Sequence, residues 1–233
     1  MAVESARLRV AVASDQSLVC EAVRAALNDR GLSVSILRWA GDQVPGPRVS
    51  GARRFDVGLM ISDLDRWPRV RGVASVMSSL RVPWVMLTGA ARGPLWGAAL
   101  EFGARTVLTS DTPLAVVHEV LAAAARGEVE PPEDAEELRA SWRRVYAERQ
   151  ELQERVRSLT PREREVLRLL YDGDSVARIA AIFEVSPTTV RSQVKAVLRK
   201  LDVNSQLAAV AAFGHLMELE TQIHHPPPTV GQR

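Results

Sequence analysis

The first half of the chain alternates short, almost continuously apolar runs with longer segments that have a helical period. Apolar runs of this length suit strands that are buried on both faces of a sheet. Strands that alternate with helices are typical of βα units, in which helices cover a parallel sheet. The pattern predicts five strands, at 8–13, 33–39, 55–61, 84–88 and 106–109. It predicts four helices, at 16–30, 69–80, 94–102 and 112–126.

Two irregularities bound this first region. Residues 41–54 have no clear helical period, which indicates that one helix of a regular βα alternation is short or lost. Pro131 and Pro132 forbid continuation of the last predicted helix, because proline lacks the backbone N–H that a helix interior requires. The pattern therefore predicts an α/β domain with a five-stranded parallel sheet at 1–127, followed by a linker at 128–158.

The linker is charged, rich in helix-forming residues and patterned in heptads. Its apolar residues fall on alternating spacings of four and three if Arg149 is admitted to the seam. This pattern favours a coiled coil that dimerises the chain, and the alternative is a linker helix packed on its own protein. The predicted dimerisation residues are Leu138, Trp142, Val145, Leu152 and Val156.

The last third of the chain reads as four short helices with clear start signals. Thr160 followed by Pro161 and Glu163 supplies an N-cap, a proline at the first helical position and a nearby carboxylate. Ser186 followed by Pro187 repeats the first two of these signals. The pattern predicts an all-α domain at 159–220 and a disordered tail at 221–233.

The third helix of this domain, predicted at 187–201, has two contrasting faces. Its aliphatic residues cluster within one sector of a helical wheel, which suits burial. The opposite sector is basic and hydroxylic, and the helix contains no Asp or Glu. A short helix at 175–183 and a turn at 184–186 precede it, which is the spacing of a helix-turn-helix unit. Such a basic face suits the phosphate-lined major groove of double-stranded DNA.

The composition of the chain limits the classes of protein to which it could belong. The chain of 233 residues is 46% hydrophobic and 25% charged, has no apolar run long enough to span a membrane and lacks a signal-peptide pattern, so we expect a cytoplasmic protein. Cys20 is its only cysteine, which excludes an internal disulfide, and we expect neither metal nor cofactor. No phosphate-binding loop or nucleophile and base pair occurs, so no enzyme is predicted. A net charge of +2 means that affinity for DNA must come from a local face.

Four sequence segments closely resemble the C-terminal DNA-binding domain of the LuxR/NarL family. They are LTPREREVL at 159–167, IAA at 179–181, VSPTTV at 185–190 and VKAVLRKL at 194–201. Two positions depart from the family pattern: Arg178 stands where the family usually has Glu, and Asp202 where it usually has Gly.

The resemblance implies roles for individual residues. It implies base contacts from Arg191, Ser192 and Lys195, and dimer contacts from the last helix at 205–216. It implies phosphate contacts from Thr188 and its neighbours. The DNA-binding set predicted in this way is Thr188, Thr189, Arg191, Ser192, Lys195 and Arg199.

In that family the N-terminal domain is usually a flavodoxin-like receiver, and the first domain resembles one only in part. Asp15 and Thr88 stand where a receiver has a metal-binding acid and a hydroxyl. Ser110 replaces the lysine, and the position of the phosphorylated aspartate falls on Ile61. Asp63 could take that place only if the third strand were two residues longer, a shift that preserves the inward face. The resemblance therefore implies a degenerate receiver pocket.

Together these observations predict a sequence-specific, DNA-binding transcription regulator that works as a homodimer without aspartyl phosphorylation. Its receiver-like domain could serve a small-molecule or protein ligand. Two alternatives stay open at this point. One is a conventional two-component regulator phosphorylated at Asp63, and the other is an interaction module that does not read DNA.

Overall fold

A computed structural model describes residues 7–39, 55–65 and 67–217 of the chain. The irregular stretch predicted at 41–54 and the tail predicted at 221–233 lie outside these residues. The chain divides into two compact units, residues 1–144 and residues 145–233. No helix in the described part combines the length and the apolar character needed to cross a membrane.

Unit 1 is built around a parallel sheet of five strands in the order β2-β1-β3-β4-β5. All four neighbouring pairs are parallel. The five strands are β1 (Arg9–Ser14), β2 (Ser33–Arg38), β3 (Val57–Ile61), β4 (Trp84–Thr88) and β5 (Ala104–Thr109). The three central strands, β1, β3 and β4, are almost wholly buried, which explains why the sequence shows continuous apolar runs there and not an alternating pattern.

Helices cover both faces of this sheet and create two separate cores. One core contains Met60, Met86 and Trp84 together with residues of α2 and α3, and the other contains Val12 and Leu59 with residues of α1 and α4. The helices of this unit are α1 (Ser17–Asn28), α2 (Trp67–Ser79), α3 (Pro94–Glu101) and α4 (Leu114–Arg126). The predicted α/β class and five-stranded parallel sheet are confirmed, with small differences at the ends of the elements.

The long helix α5 (Ala135–Arg157) contains the division between the two units, which falls after Arg144. The sequence predicted that the first domain ends at residue 127. In the structure, the first turns of α5 also pack on unit 1. Leu138 and Trp142 are buried there, and the Trp142 ring lies 5.2 Å from the ring of Trp67 in a stacked arrangement. The apolar residues at the start of the heptad pattern therefore complete the core of unit 1.

A glycine of α3 makes this close packing possible. A Cβ atom built at Gly97 would lie 2.0 Å from the carbonyl oxygen of Leu138 and 3.0 Å from Cβ of Trp142. Two ion pairs flank the contact, from Arg92 to Asp134 and from Arg143 to Glu101. The first turns of α5 are thus fixed by backbone proximity, aromatic contact and charge.

Unit 2 is an all-α domain, as predicted. Its helices after α5 are α6 (Pro161–Tyr171), α7 (Val176–Ile182), α8 (Pro187–Leu201) and α9 (Gln206–Met217). Leu167, Ile179, Val190 and Leu201 are fully buried between them. Both predicted N-caps form, since Thr160 and Ser186 accept backbone hydrogen bonds from the third residue of their helices.

We predict that Gly97→Ala lowers the free energy of unfolding of unit 1 by about 1–3 kcal/mol, the usual cost of overpacking. Alanine normally favours a helix by about 1 kcal/mol over glycine, so a loss reports the clash with the backbone of Leu138. All five tryptophans lie within unit 1, so urea unfolding followed by tryptophan fluorescence monitors it.

The matched control is Gly214→Ala in α9 of unit 2, whose urea unfolding is followed by far-UV circular dichroism because unit 2 contains no tryptophan. The nearest atom to a Cβ there is 3.0 Å away, on the half-exposed ring of Tyr171, which can move. Because the neighbour can give way, we expect a change in stability of under about 1 kcal/mol. Equal effects of the two substitutions would contradict the close approach of α5 to α3.

Candidate nucleic-acid interface

Helices α7 and α8 form a helix-turn-helix unit joined by a tight turn at 183–186. Glu184 in this turn has a φ of 53°, a left-handed conformation that reverses the chain within a few residues. Ser186 then caps α8, because its Oγ accepts a hydrogen bond of 3.1 Å from the N–H of Thr189. Pro187 occupies the first helical position, where no N–H is needed. These local signals fix where α8 begins and hence which residues share each face.

One face of α8 is held in the core of unit 2. Val190, Val197 and Leu201 have no exposed surface, and Val194 is 9% exposed. These residues recur at helical spacing and pack against α6, α7 and α9. Their burial fixes the rotation of the helix about its own axis.

The opposite face of α8 is exposed over its whole length. Because the aliphatic residues point inward, the polar residues at the intervening positions must point outward. The predicted DNA-binding residues are all exposed: Thr188, Thr189, Arg191, Ser192, Lys195 and Arg199.

The three cations on this face differ from other basic residues of unit 2. Among the described residues, Arg191, Lys195 and Arg199 form no ion pair. By contrast, seven basic side chains elsewhere in the unit contact a carboxylate or a backbone carbonyl: Arg155, Arg157, Arg162, Arg164, Arg168, Arg178 and Lys200. The charges that remain available to an external anion are therefore concentrated on the outer face of α8.

The largely buried carboxylate of Glu163 links α8 to the start of α6 through hydrogen bonds. Lys200 Nζ donates to Glu163 Oε2 over 2.6 Å, and the N–H of Thr160 donates to the same oxygen over 2.8 Å. Burial by itself raises the pKa of Glu163, but the hydrogen bonds from Lys200 and Thr160 outweigh it and the net pKa is lowered. The ionised carboxylate thus fixes the C-terminal half of α8 against α6.

The two departures from the family pattern are accommodated locally. Asp202 ends α8 with a φ of 58°, the left-handed conformation for which glycine is the usual residue. Arg155 supports this end by donating to the carbonyl of Leu201 over 3.1 Å, and it lies 3.5 Å from the Asp202 carboxylate. Arg178 pairs with Asp174 one turn earlier at 2.7 Å. Neither departure displaces the outer face of α8.

Comparison with known proteins identifies the family. The model for bacterial regulatory proteins of the luxR family matches residues 157–213, which include the helix-turn-helix unit. The probable transcriptional regulatory protein NarL of Mycobacterium tuberculosis is 33% identical over 210 residues, which cover 88% of this chain and 93% of that protein. This chain belongs to the LuxR family of bacterial response regulators.

Two further relatives support the same assignment. The nitrate/nitrite response regulator NarP of Escherichia coli is 28% identical over 229 residues, covering 90% of this chain and 96% of that protein. The glycerol metabolism activator of Pseudomonas putida is 24% identical over 214 residues, covering 89% and 96%. By name, NarP is a response regulator and the Pseudomonas putida protein is an activator of glycerol metabolism.

Solved structures of response regulators are similar to this chain over most of its length. ChrA, from a heme-sensing two-component system, is 21% identical with a TM-score of 0.41 and covers 91% of this chain and 98% of its own. RcsB in complex with DNA is 18% identical with a TM-score of 0.38 and covers 90% and 99%. Because both TM-scores are below 0.5, the family assignment depends on the sequence relatives.

The receiver-like unit of this LuxR-family chain brings several predicted pocket residues to the carboxyl edge of its sheet. β3 ends at Ile61, which lies in the sheet, and Asp63 follows just beyond the strand. Asp63 Oδ1 accepts a hydrogen bond of 3.0 Å from the N–H of Gly89, directly after Thr88. A Cβ built at Gly89 would also lie 3.4 Å from Ser110 Oγ. Asp63, Thr88 and Ser110 are thus neighbours at this edge.

Sequence reasoning missed the cation at this edge. Arg69 Nε lies 2.5 Å from Asp15 Oδ2, and its Nη1 lies 2.7 Å from Asp65 Oδ1. Partial burial lowers the pKa of Arg69, but its bonds to the two aspartates outweigh this and the net pKa is raised. The spacing of four between Asp65 and Arg69, at the start of a helix, was the available signal.

These residues do not fit the Mg²⁺ site that a receiver implies. Ser14 stands in place of one of the two acids, and its Oγ accepts the N–H of Gln16 over 3.1 Å. The remaining acid, Asp15, is only 10% exposed and already pairs with the Arg69 guanidinium.

The predicted dimerisation seam shares residues with the cores of both units. Leu138 and Trp142 are buried in unit 1, so a seam that includes them would have to withdraw them from this core. Val156 packs against a core of unit 2. Val145 is 38% exposed and Leu152 is half-buried, so these two remain the accessible part of the predicted seam.

We predict that Glu163→Gln lowers the free energy of unfolding of unit 2 by about 1–3 kcal/mol at neutral pH, because a charged hydrogen bond to Lys200 is lost. The folded-state pKa of Glu163 is lowered from 4.5, so its contribution is complete above pH 4.5 and is lost as the pH falls through the folded pKa. The difference between wild type and variant should therefore shrink in acid, as measured by urea unfolding and far-UV circular dichroism.

The control for this variant is Glu165→Gln, on the same helix. Glu165 pairs with Arg162 at 3.1 Å, but both side chains are at least 40% exposed. Exposed pairs contribute little, so the change should be under about 0.5 kcal/mol. A difference between Glu163→Gln and wild type that does not vary with pH would contradict the assigned role of the ionised carboxylate.

Proposed function

We propose that this chain is a sequence-specific transcription regulator that places α8 in the major groove of double-stranded DNA. The observation that carries this proposal is the exposed outer face of α8, whose three cations form no ion pair among the described residues. Guanidinium and ammonium groups match the O6 and N7 acceptors of guanine and the phosphate oxygens. We assign base contacts to Arg191, Ser192 and Lys195. We assign backbone contacts to Thr188, Thr189 and Arg199.

We further propose that the chain binds DNA as a homodimer. Leu207 on the apolar helix α9 is 78% exposed, so its side chain is available for a contact of α9 with a second copy. Two copies related by a two-fold axis would present their α8 helices to successive major grooves. The operator would then be roughly palindromic, with half-sites about one helical turn apart.

We predict that Arg191→Ala and Lys195→Ala each weaken binding to a selected operator by about 1–3 kcal/mol, the usual value of a specific base contact. The operator is first selected from random duplex DNA with the purified full chain. Affinity is then measured for the selected site and for scrambled DNA at several salt concentrations. Both variants should lose discrimination between the two, because base contacts carry sequence information.

The matched control is Arg157→Ala, which removes the same charge from an arginine that is paired with Glu154. Its affinity for the operator should be within about twofold of wild type, since it lies off α8 and lacks a free guanidinium. If no duplex can be selected, or if the α8 variants and the control behave alike, the chain is an interaction module that does not read DNA.

We also propose that the receiver-like unit works without aspartyl phosphorylation. The Arg69 guanidinium supports this proposal, because it supplies between Asp15 and Asp65 the positive charge that a metal ion would otherwise bring. Ser110 supplies no charge where a lysine would stabilise a phosphoryl group, and phosphoryl transfer depends chiefly on positioned charge. One observation favours the conventional alternative: Asp63 lies at the carboxyl edge, beside Gly89.

We predict that acetyl phosphate with Mg²⁺ leaves the mass of the intact protein unchanged. A conventional response regulator treated in parallel should gain one phosphoryl group. Stoichiometric addition to this chain that disappears in Asp63→Asn would establish phosphorylation at Asp63 and overturn the proposal.

A further inference from the structure

A cleft of about 470 Å³ lies at the amino edge of the sheet, opposite the carboxyl edge at which Asp63 lies. It lies where β4 and β5 begin, and the connection before α5 and the first turns of α5 complete it. Three of its lining residues are arginines: Arg81, Arg105 and Arg139. A volume of this size is within the range of about 300–1,000 Å³ that is usual for small-molecule sites.

Charge at this cleft is not balanced by the protein. Arg81 and Arg105 are exposed, and neither forms an ion pair with any residue in the described ranges. Arg139 is 22% exposed, and its Nη1 lies 2.5 Å from Glu136. Glu136 is thus the one acid seen within ion-pair distance of these three guanidinium groups in the part of the chain that the structure describes. The lining therefore has an excess of positive charge.

Apolar side chains form the floor between the arginines. Leu100 and Ala104 are at least 96% buried, and Pro131 adds a rigid wall from the connection before α5. Arginine presents a planar fork of donors that matches phosphate oxygens two at a time. A cleft with a cationic rim and an apolar floor suits a molecule that has both a phosphate group and an organic body.

We infer that this cleft binds a small phosphorylated organic molecule, with Arg81 and Arg105 as its phosphate ligands. This inference goes beyond the proposed DNA binding and does not require it. Because Pro131 and Arg139 belong to the connection and to α5, the bound molecule would join the first turns of α5 to β4 and β5. Binding should therefore raise the unfolding temperature of unit 1, since the ligand binds only the folded state.

The test is calorimetric titration of the full chain with inorganic pyrophosphate and with AMP at low salt. Wild type should bind AMP saturably, and Arg81→Ala/Arg105→Ala should weaken this binding at least tenfold, whereas saturable binding of pyrophosphate without binding of AMP would overturn the organic part of the inference. Neither arginine has an ion-pair partner in the part of the chain that the structure describes, so the double variant should fold, which an unchanged unfolding temperature without ligand verifies. Arg24→Ala/Arg168→Ala, which removes two arginines that are each paired with an acid, controls for net charge.

A second control separates this cleft from the basic face of α8, which also attracts anions. Arg191→Ala/Lys195→Ala should retain the affinity for both probes while losing operator binding. Loss of probe binding in this variant, with none in Arg81→Ala/Arg105→Ala, would place the anion on α8 and overturn the inference. Absence of saturable binding by wild type at concentrations up to about 1 mM would also overturn it.

Discussion

Burial of the aliphatic stripe of α8 is the constraint on which the proposed DNA contact depends. Val190, Val197 and Leu201 cannot leave the core of unit 2 without exposing apolar surface, at about 25 cal/mol for each Å². Their burial sets the rotation of the helix, and the pairing of Glu163 with Lys200 sets its C-terminal half. The exposed cations are thus presented by a rigid element, so that little conformational entropy is lost on binding.

The two edges of the sheet in unit 1 differ in whether their charged side chains are paired. At the carboxyl edge, Asp15 and Asp65 both pair with Arg69, and Asp63 accepts a backbone N–H. At the amino edge, Arg81 and Arg105 have no acid of their own among the described residues. We propose that the input to this receiver-like unit is reversible binding of an anion at the second edge and not covalent modification at the first.

The start of α5 shows why a heptad pattern is ambiguous. Leu138 and Trp142 have the spacing of a coiled-coil seam, yet Gly97 allows α5 to approach α3 so closely that both side chains enter the core of unit 1. A helix has the same periodicity whether its apolar face meets a second chain or its own domain. Whether the helix packs on a second chain or on its own domain depends on the surface that it faces. Here the start of α5 faces Gly97 of α3.

The sequence by itself determined the features that depend on local spacing. The buried parallel strands, the caps at Thr160 and Ser186, and the two faces of α8 follow from periodicity and from backbone hydrogen bonding within a few residues. Tertiary structure alone decided which distant charges meet. Arg69 neutralises Asp15, and Lys200 pairs with Glu163, because folding brings these residues together from separate elements. Coulomb interactions act through space, so no pattern along the chain could assign these partners.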